Sequence, residues 1–235
     1  MKTIGILGGM SAASTQLYYR LLCDMTRERM GGLHSPELLI RSLDFENIER
    51  LQSAGRWEAA GNVLNKEAKA LERGGAELLV LATNTMHKLA DEMMVDVGIP
   101  IIHIADATAS EVSRRGYKSP GLMATAFTME QTFYTERLVA AGLTPVVPVK
   151  SDRAEVHRII YEELCKGITA SESEAVYVEI AGRLVDAGAD SLILGCTEVG
   201  ILLNDSNVPV PVFDTTKIHC ATVLSKALDQ VETAL

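Results

Sequence analysis

The stretch GADSLILGCTE, residues 188–198, ends an apolar run at a glycine and places Cys196 directly after it. An earlier stretch, GAELLVLATNT at residues 75–85, aligns with it without a gap and places Thr83 at the position of Cys196. A short aliphatic run that leads into a turn is typical of a buried strand. The chain therefore presents the same strand-and-turn unit twice, once with a thiol at its end and once with an alcohol.

Two further pairs of segments repeat in the same order along the chain. They are KTIGILG (2–8) with KSPGLMA (118–124), and IADAT (104–108) with VFDTT (212–216). Three matches in one order favour two related halves, at residues 1–115 and 116–235. We expect the final helix, near residues 215–232, to pack back on the first half.

Short aliphatic runs alternate with longer helical patterns along the whole chain. The predicted strands are at residues 3–7, 38–42, 77–82, 100–104, 120–125, 144–148, 190–195 and 209–213. The predicted helices lie near residues 14–29, 56–73, 87–95, 105–115, 128–141, 152–165, 172–187 and 215–232. This alternation is typical of parallel βαβ units. The predicted fold class is α/β, with two pseudo-symmetric parallel-sheet subdomains and the active site in the cleft between them.

Composition narrows the class of protein. The 235 residues are 47% hydrophobic, which is enough for a sizeable core. The net charge of -9 argues against nucleic acid or an anionic membrane as partner, because binding phosphates needs a basic face. The four cysteines are widely spaced and form no CxxC pair, so we expect neither a metal site nor a disulfide framework. With no signal-peptide pattern and no apolar run of ~20 residues, the sequence predicts a cytoplasmic protein.

The chemistry of the two strand ends suggests proton transfer. Thr83 and Cys196 follow equivalent strands, and ligands of open α/β sheets bind at that edge. An amino acid held between two such groups can lose its α-proton on one face and regain a proton on the other. A free cysteine has a pKa of about 8.5, and we expect the N-terminus of a following helix to lower the pKa of Cys196. The backbone N–H groups of residues 83–85 and 196–198 are candidates for holding a carboxylate.

Six motifs give the chain a family resemblance over nearly its whole length. They are LGGMS (7–11), TNTMH (83–87), ATAFTM (124–129), EELCKG (162–167), GCTE (195–198) and VFDTTKIH (212–219). With these motifs the chain resembles the cofactor-independent aspartate/glutamate racemase family. The resemblance implies two pseudo-symmetric α/β subdomains, usually in a homodimer, and catalysis with no cofactor, independent of pyridoxal phosphate.

The chain departs from the family at one catalytic position. Members of the family commonly use two cysteines, one in a Cys-Asn-Thr motif and one in Gly-Cys-Thr, whereas this chain has Thr83 in the first. An alcohol is a far weaker acid than a thiol, so Thr83 is a poor base. The hypothesis is that the catalytic residue Cys196 deprotonates an L-substrate. Thr83, or a water that it holds, then reprotonates the other face. The alternative is that Thr83 only caps the next helix.

The resemblance also implies the residues that bind substrate. They are Met10, Ser11, Gln52, Asn84, Thr85, Thr125, Thr128, Lys166, Thr197 and Glu198. An ammonium suits a distal carboxylate, so Lys166 is predicted to recognise an acidic side chain. The alternatives are helix caps for Asn84 and Thr85 and a solvated helix end for Lys166. His87 is interpreted as a structural residue at a helix start, and His219 as a support for the strand of Cys196.

The function predicted from these residues is racemisation of an acidic amino acid, aspartate or glutamate or both, with preference for the L-enantiomer. Two alternatives remain open. One is a single-cysteine decarboxylase of malonates, which would need an apolar pocket, against which the polar TNTMH motif and Lys166 argue. The other is a catalytically silent protein that binds an amino acid.

Overall fold

The computed structural model describes residues 1–228, which form two compact units. Unit 1 comprises Met1–His103 together with the segment that begins at His219, and unit 2 comprises Ile104–Ile218. The division falls after His103, whereas the sequence analysis placed it after residue 115. The reason is the amphipathic helix Ile104–Arg114, whose apolar face belongs to the core of unit 2.

Unit 1 is a three-stranded parallel sheet with helices. Its strands are β1 (Ile4–Gly8), β2 (Leu38–Ser42) and β3 (Leu78–Leu81), in the order β2-β1-β3. Its helices are α1 (Ala12–Met30), α2 (Phe45–Ser53), α3 (Trp57–Arg73), a 3-10 helix at Thr85–Leu89, and α4 (Ala90–Met93). The fully buried β1 and β3 carry unbroken apolar runs, as expected of strands covered on both faces.

Unit 2 is built in the same way. Its strands are β4 (Pro120–Ala124), β5 (Ser191–Gly195) and β6 (Val212–Asp214), in the order β4-β5-β6. Its helices are α5 (Ile104–Arg114), α6 (Ala126–Glu130), α7 (Thr132–Ala140), α8 (Lys150–Glu162), a 3-10 helix at Leu164–Lys166, α9 (Ser171–Asp186) and α10 (Val199–Leu202). A last helix, α11 (Thr215–Leu228), follows β6 directly.

Two predicted strands are reduced to single bridges. The segment at 100–104 pairs with β3 at Leu79 and Ile101, and the segment at 144–148 pairs with β4 at Gly121 and Val146. Both segments contain proline, which has no N–H for the ladder. When each bridge is counted as a fourth strand, the sheet orders become β2-β1-β3-Ile101 and Val146-β4-β5-β6. The two orders match position by position, so β3 and β5 are equivalent inner strands. The prediction of an α/β fold with two related parallel sheets is confirmed.

The C-terminal helix packs on the first sheet. Cys220, Val223 and Leu224 of α11 are buried in one cluster with Ile4 and Ile6 of β1. The predicted end of this helix near residue 232 lies outside the described residues. No helix within residues 1–228 is long and apolar enough to cross a membrane.

Candidate functional site

In unit 1 the loop after β1 and the turn after β3 meet at one edge of the sheet. The two strands are parallel neighbours, with Leu7 opposite Leu81. The buried hydroxyl of Ser14 in α1 donates to the carbonyl oxygen of Ala82 at 2.9 Å. This hydrogen bond joins the first turn of α1 to the residue that precedes Thr83.

Two glycines, Gly8 at the end of β1 and Gly9 after it, allow close contacts with Thr15 and Leu43. A Cβ on Gly8 would lie 2.3 Å from Oγ1 of Thr15, the atom that accepts the N–H of Gly9 at 2.7 Å. Gly9 has φ +87, and a Cβ there would lie 2.2 Å from the backbone of Leu43. Only glycine fits both constraints, since L side chains avoid positive φ and the neighbours include backbone. The loop therefore serves as a tight turn.

The predicted binding residues of unit 1 lie in or near these loops. Ser11 caps α1, its side chain accepting the N–H of Ser14 at 3.2 Å. Met10, which precedes Ser11, is buried, and so are Asn84 and Thr85, which follow β3. Gln52 lies in α2, which begins soon after β2, the other neighbour of β1, and it is 3% exposed.

Thr83 is held through its backbone. Its N–H donates to the carbonyl of Leu81 at 2.9 Å, and its own carbonyl accepts a hydrogen bond from Nδ1 of His87 at 2.7 Å. Its side chain is partly exposed at the strand end. The capping interpretation finds no support, because Asn84, and not Thr83, precedes the 3-10 helix.

Three histidines are buried together in unit 1. The ring of His87 lies 4.6 Å from that of His103 and 5.6 Å from that of His219, centre to centre. Nε2 of His219 donates to the carbonyl of Ile102 at 2.8 Å, so its Nδ1 accepts from the hydroxyl of Tyr18, also at 2.8 Å. Burial and the neighbouring rings lower the pKa of His87 well below its ordinary value, and burial lowers the pKa of His219 to about 4.

In unit 2 the ends of β4 and β5 likewise lie side by side, but they carry different side chains. Ala124 at the end of β4 pairs with Gly195 at the end of β5, so Thr125 and Cys196 follow side by side. Thr125 caps α6, where its Oγ1 accepts from the N–H of Thr128 at 3.4 Å and lies 3.2 Å from the Thr128 hydroxyl. Both threonines are buried.

The thiol of Cys196 has a carboxylate partner. Its Sγ donates to Oε2 of Glu198 at 3.0 Å, and the hydroxyl of Thr197 donates to the same oxygen. Burial, the negative charge of Glu198 and the hydrogen bond raise the pKa of Cys196 well above its usual range. The prediction that a helix N-terminus lowers the pKa of Cys196 is wrong, because α10 is one short turn and the nearest charge is negative.

Lys166 is an exposed residue at the end of a 3-10 helix. Its neighbour Cys165 is partly buried, and burial together with the charge of Glu198 raises the pKa of Cys165 to about 12. The segment of Lys166 therefore lies on the Glu198 side of unit 2. Cys165 itself packs against the apolar core of unit 2.

Three contacts were missed by the sequence analysis. The strand of Cys196 is supported by Thr215, whose hydroxyl donates to the carbonyl of Leu194 at 2.8 Å, and not by His219, which belongs to unit 1. Nδ1 of His157 in α8 accepts the N–H of Ala126 at 3.2 Å, beside Thr125. The bond from His87 to Thr83 is local, and the i, i+4 spacing of TNTMH was its only signal.

Within residues 1–228 no group of three or more histidine, cysteine, aspartate or glutamate side chains is arranged to hold a metal ion.

Comparison with known proteins gives one consistent result. The profile of the Asp/Glu/Hydantoin racemase family matches residues 7–223. A Yersinia pestis protein, provisionally classed as an Asp/Glu racemase, has a crystal structure that is 44% identical, with a TM-score of 0.91 over 97% of this chain and 100% of its own.

Two further relatives extend this result. An aspartate racemase homologue from Pyrococcus horikoshii OT3 is 37% identical, with a TM-score of 0.84 over 97% and 99% of the two chains. The broad specificity amino-acid racemase RacX of Bacillus subtilis (strain 168) is 20% identical over 96% of this chain and 98% of its own. The chain belongs to the Asp/Glu/Hydantoin racemase family and is an isomerase of the aspartate/glutamate racemase type.

Proposed function

We propose that this enzyme racemises an acidic amino acid, aspartate or glutamate or both, and that it works mainly on the L-enantiomer. The observation that carries the proposal is the equivalence of Thr83 and Cys196. With the bridge at Ile101 counted, each follows an inner strand of its sheet, and only the second is a thiol. Lys166 is the proposed partner of the distal carboxylate. The other binding residues are proposed to be Met10, Ser11, Gln52, Asn84, Thr85, Thr125, Thr128, Thr197 and Glu198.

The first step is abstraction of the α-proton by Cys196. The resting thiol is protonated, because its pKa is raised, and its proton points at Glu198. We propose that Glu198 takes this proton along the existing hydrogen bond. The ammonium group of the substrate favours the thiolate, since an opposite charge lowers a thiol pKa. The thiolate then accepts the α-proton as the Cα–H bond breaks, and the electron pair passes to the substrate carboxylate. Backbone N–H groups near Thr197 are proposed to stabilise that charge.

The second step is delivery of a proton from the Thr83 side. The hydroxyl of Thr83, or a water that it holds, gives a proton to the opposite face of Cα and is replenished from solvent. Glu198 then releases to solvent the proton that it took from Cys196, which restores the resting pair. The reverse reaction would require an alkoxide or hydroxide as base, which is scarce at neutral pH. The D-enantiomer is therefore a poor substrate in this mechanism.

The enzyme is further proposed to act as a homodimer in the cytoplasm without pyridoxal phosphate. The family resemblance supports the dimer and the cofactor-independent mechanism, and cysteines that form no disulfide within residues 1–228 suit a reducing compartment. Light scattering on purified protein tests the dimer. Racemase activity in protein that lacks the absorption of pyridoxal phosphate tests the mechanism.

The function is tested by chiral chromatography after incubation with L-aspartate and L-glutamate, with arylmalonate and calorimetric binding assays in parallel. Formation of the D-enantiomer from either amino acid supports the proposal. Release of carbon dioxide from the malonate without racemisation indicates a decarboxylase. Binding of an amino acid with no turnover indicates a silent binding protein, and either result contradicts the proposal.

A further inference from the structure

The side chain of His87 forms a hydrogen bond that closes the turn carrying Thr83. The turn follows β3, and the next residues form the 3-10 helix Thr85–Leu89. The backbone N–H of His87 donates to the carbonyl of Asn84 at 3.1 Å. Its ring reaches back one residue further, where Nδ1 lies 2.7 Å from the carbonyl oxygen of Thr83. The chain from Thr83 to His87 is thus tied by a backbone bond and a side-chain bond.

The His87 ring is itself fixed by buried neighbours. It is 2% exposed, and the rings of His103 and His219 stand against it edge to face. His219 cannot rotate freely, because both of its nitrogens are engaged, one by Tyr18 and the other by Ile102. A rotation of His87 would therefore disturb a packed group of rings.

The protonation state of His87 follows from its partner. A carbonyl oxygen can only accept a hydrogen bond, so at 2.7 Å from Thr83 it is Nδ1 that carries the proton and donates. The ring also interacts with the backbone of Ile102. Burial and the two neighbouring rings keep the imidazole neutral. The bond to Thr83 is accordingly a neutral donor–acceptor bond, and it brings no positive charge to the strand end.

We propose that His87 is a positioning residue for the Thr83 half of the reaction. By fixing the carbonyl of Thr83 it fixes the backbone that carries the hydroxyl, which leaves χ1 as the one torsion that directs Oγ1. A misplacement of about 1 Å in a reacting group can reduce a rate about 100-fold. This proposal rests on the proposed function, because it assigns His87 to one step of that reaction.

The test compares His87→Leu, which removes the donor, with His87→Asn, which keeps an amide N–H near the position of Nδ1. The matched control is His34→Leu, at an exposed histidine in the same unit. Each protein is incubated with L-aspartate in D₂O. Loss of the α-proton signal and formation of D-aspartate are followed in the same sample, and circular dichroism checks folding.

His87→Leu is expected to retain α-proton exchange within about threefold and to lose D-aspartate formation by about tenfold or more. His87→Asn is expected to recover most of the inversion. A purely structural role would lower exchange and inversion together, and that result, or inversion unchanged in His87→Leu, overturns the proposal.

A second measurement does not depend on activity. Three-bond couplings of the Thr83 γ-methyl, in protein with ¹³C-labelled threonine, report its χ1 angle. We expect one rotamer in the wild type and averaged couplings in His87→Leu, whereas unchanged couplings overturn the positioning role. A wild type that neither exchanges nor inverts any substrate contradicts the proposed function instead, and the couplings then still decide the role of His87.

Discussion

Oε2 of Glu198 accepts a hydrogen bond from the thiol of Cys196 at 3.0 Å and another from the hydroxyl of Thr197. Glu198 is 6% exposed, whereas Cys196 is partly exposed. This relationship keeps the thiol protonated at rest and gives its proton a defined acceptor. We propose for Glu198 a role in proton transfer in addition to the substrate contact expected from the sequence.

Replacing Glu198 with glutamine separates these two effects. Removal of the negative charge is expected to lower the pKa of Cys196, although burial keeps it above the usual range. Alkylation by iodoacetamide should accelerate at a fixed pH. Exchange of the α-proton should slow about 100-fold, because the thiol loses its proton acceptor. Glu179→Gln, at an exposed carboxylate in the same unit, should change neither rate. Faster exchange in Glu198→Gln would refute this role.

Introducing a thiol at residue 83 is expected to increase activity on the D-enantiomers. Thr83→Cys places an acid of far lower pKa at the end of β3. We expect exchange of the α-proton of D-aspartate or D-glutamate to rise at least about tenfold, measured by proton NMR in D₂O. Thr144→Cys introduces a thiol at an exposed position and should have no effect. No gain on either D-enantiomer would count against Thr83 as the partner of Cys196.

The buried histidines predict a loss of stability in acid. The pKa of His219 is about 4 against 6.5 for the free side chain, so the unfolded chain binds more protons between these values. The stabilisation is complete above about pH 6.5 and is lost as the pH falls towards 4. It amounts to about 3 kcal/mol, of which about 2 kcal/mol is gone at pH 5. His87 and His103, which face His219, and the Tyr18 hydroxyl share this environment.

Urea unfolding at pH 7 and pH 5 measures the effect. His219→Asn should unfold more easily at pH 7 and show a smaller difference between the two pH values. His34→Asn, at an exposed histidine, should behave as the wild type does. An equal pH difference in all three proteins is the outcome that this explanation does not allow.

The glycine turn after β1 predicts a backbone-specific defect. Gly9→Ala would place a Cβ 2.2 Å from the backbone of Leu43 at φ +87, and we expect it to destabilise unit 1 by more than about 3 kcal/mol. Gly142→Ala has a similar φ of +80 but open space around it, so the strain alone should amount to about 1 kcal/mol. Thermal unfolding compares the two, and equal losses would mean that the contact with Leu43 is unimportant.

The fold could be predicted well because apolar runs and repeated segments are local patterns in the sequence. The apolar runs before Thr83 and Cys196 located both residues at strand ends, and the structure has the two parallel sheets that the repeat predicted. The segments around Pro100 and Pro145 were overestimated, because apolar content outweighed the missing N–H groups. The helix Phe45–Ser53 was missed, although Asp44 before it is a standard N-cap.

The electrostatics of the site could not be predicted in this way. The pKa of Cys196 depends on where the Glu198 side chain turns, and a sequence spacing of two residues allows either approach or separation. The bond from His87 to Thr83 likewise depends on ring orientation, which is set by His103 and His219 from distant parts of the chain. The contacts of His87 with His103 and His219 join residues far apart in sequence and leave no local periodicity.

The measurement that tests the central claim most directly is proton NMR in D₂O with both enantiomers of aspartate and glutamate, on the wild type and on Cys196→Ala. We predict loss of the α-proton signal from an L-enantiomer with formation of the D-product, much slower exchange of the D-enantiomers, and neither reaction in Cys196→Ala. Cys23→Ser should match the wild type. Absence of exchange with all four amino acids, or exchange that persists in Cys196→Ala, would contradict the account.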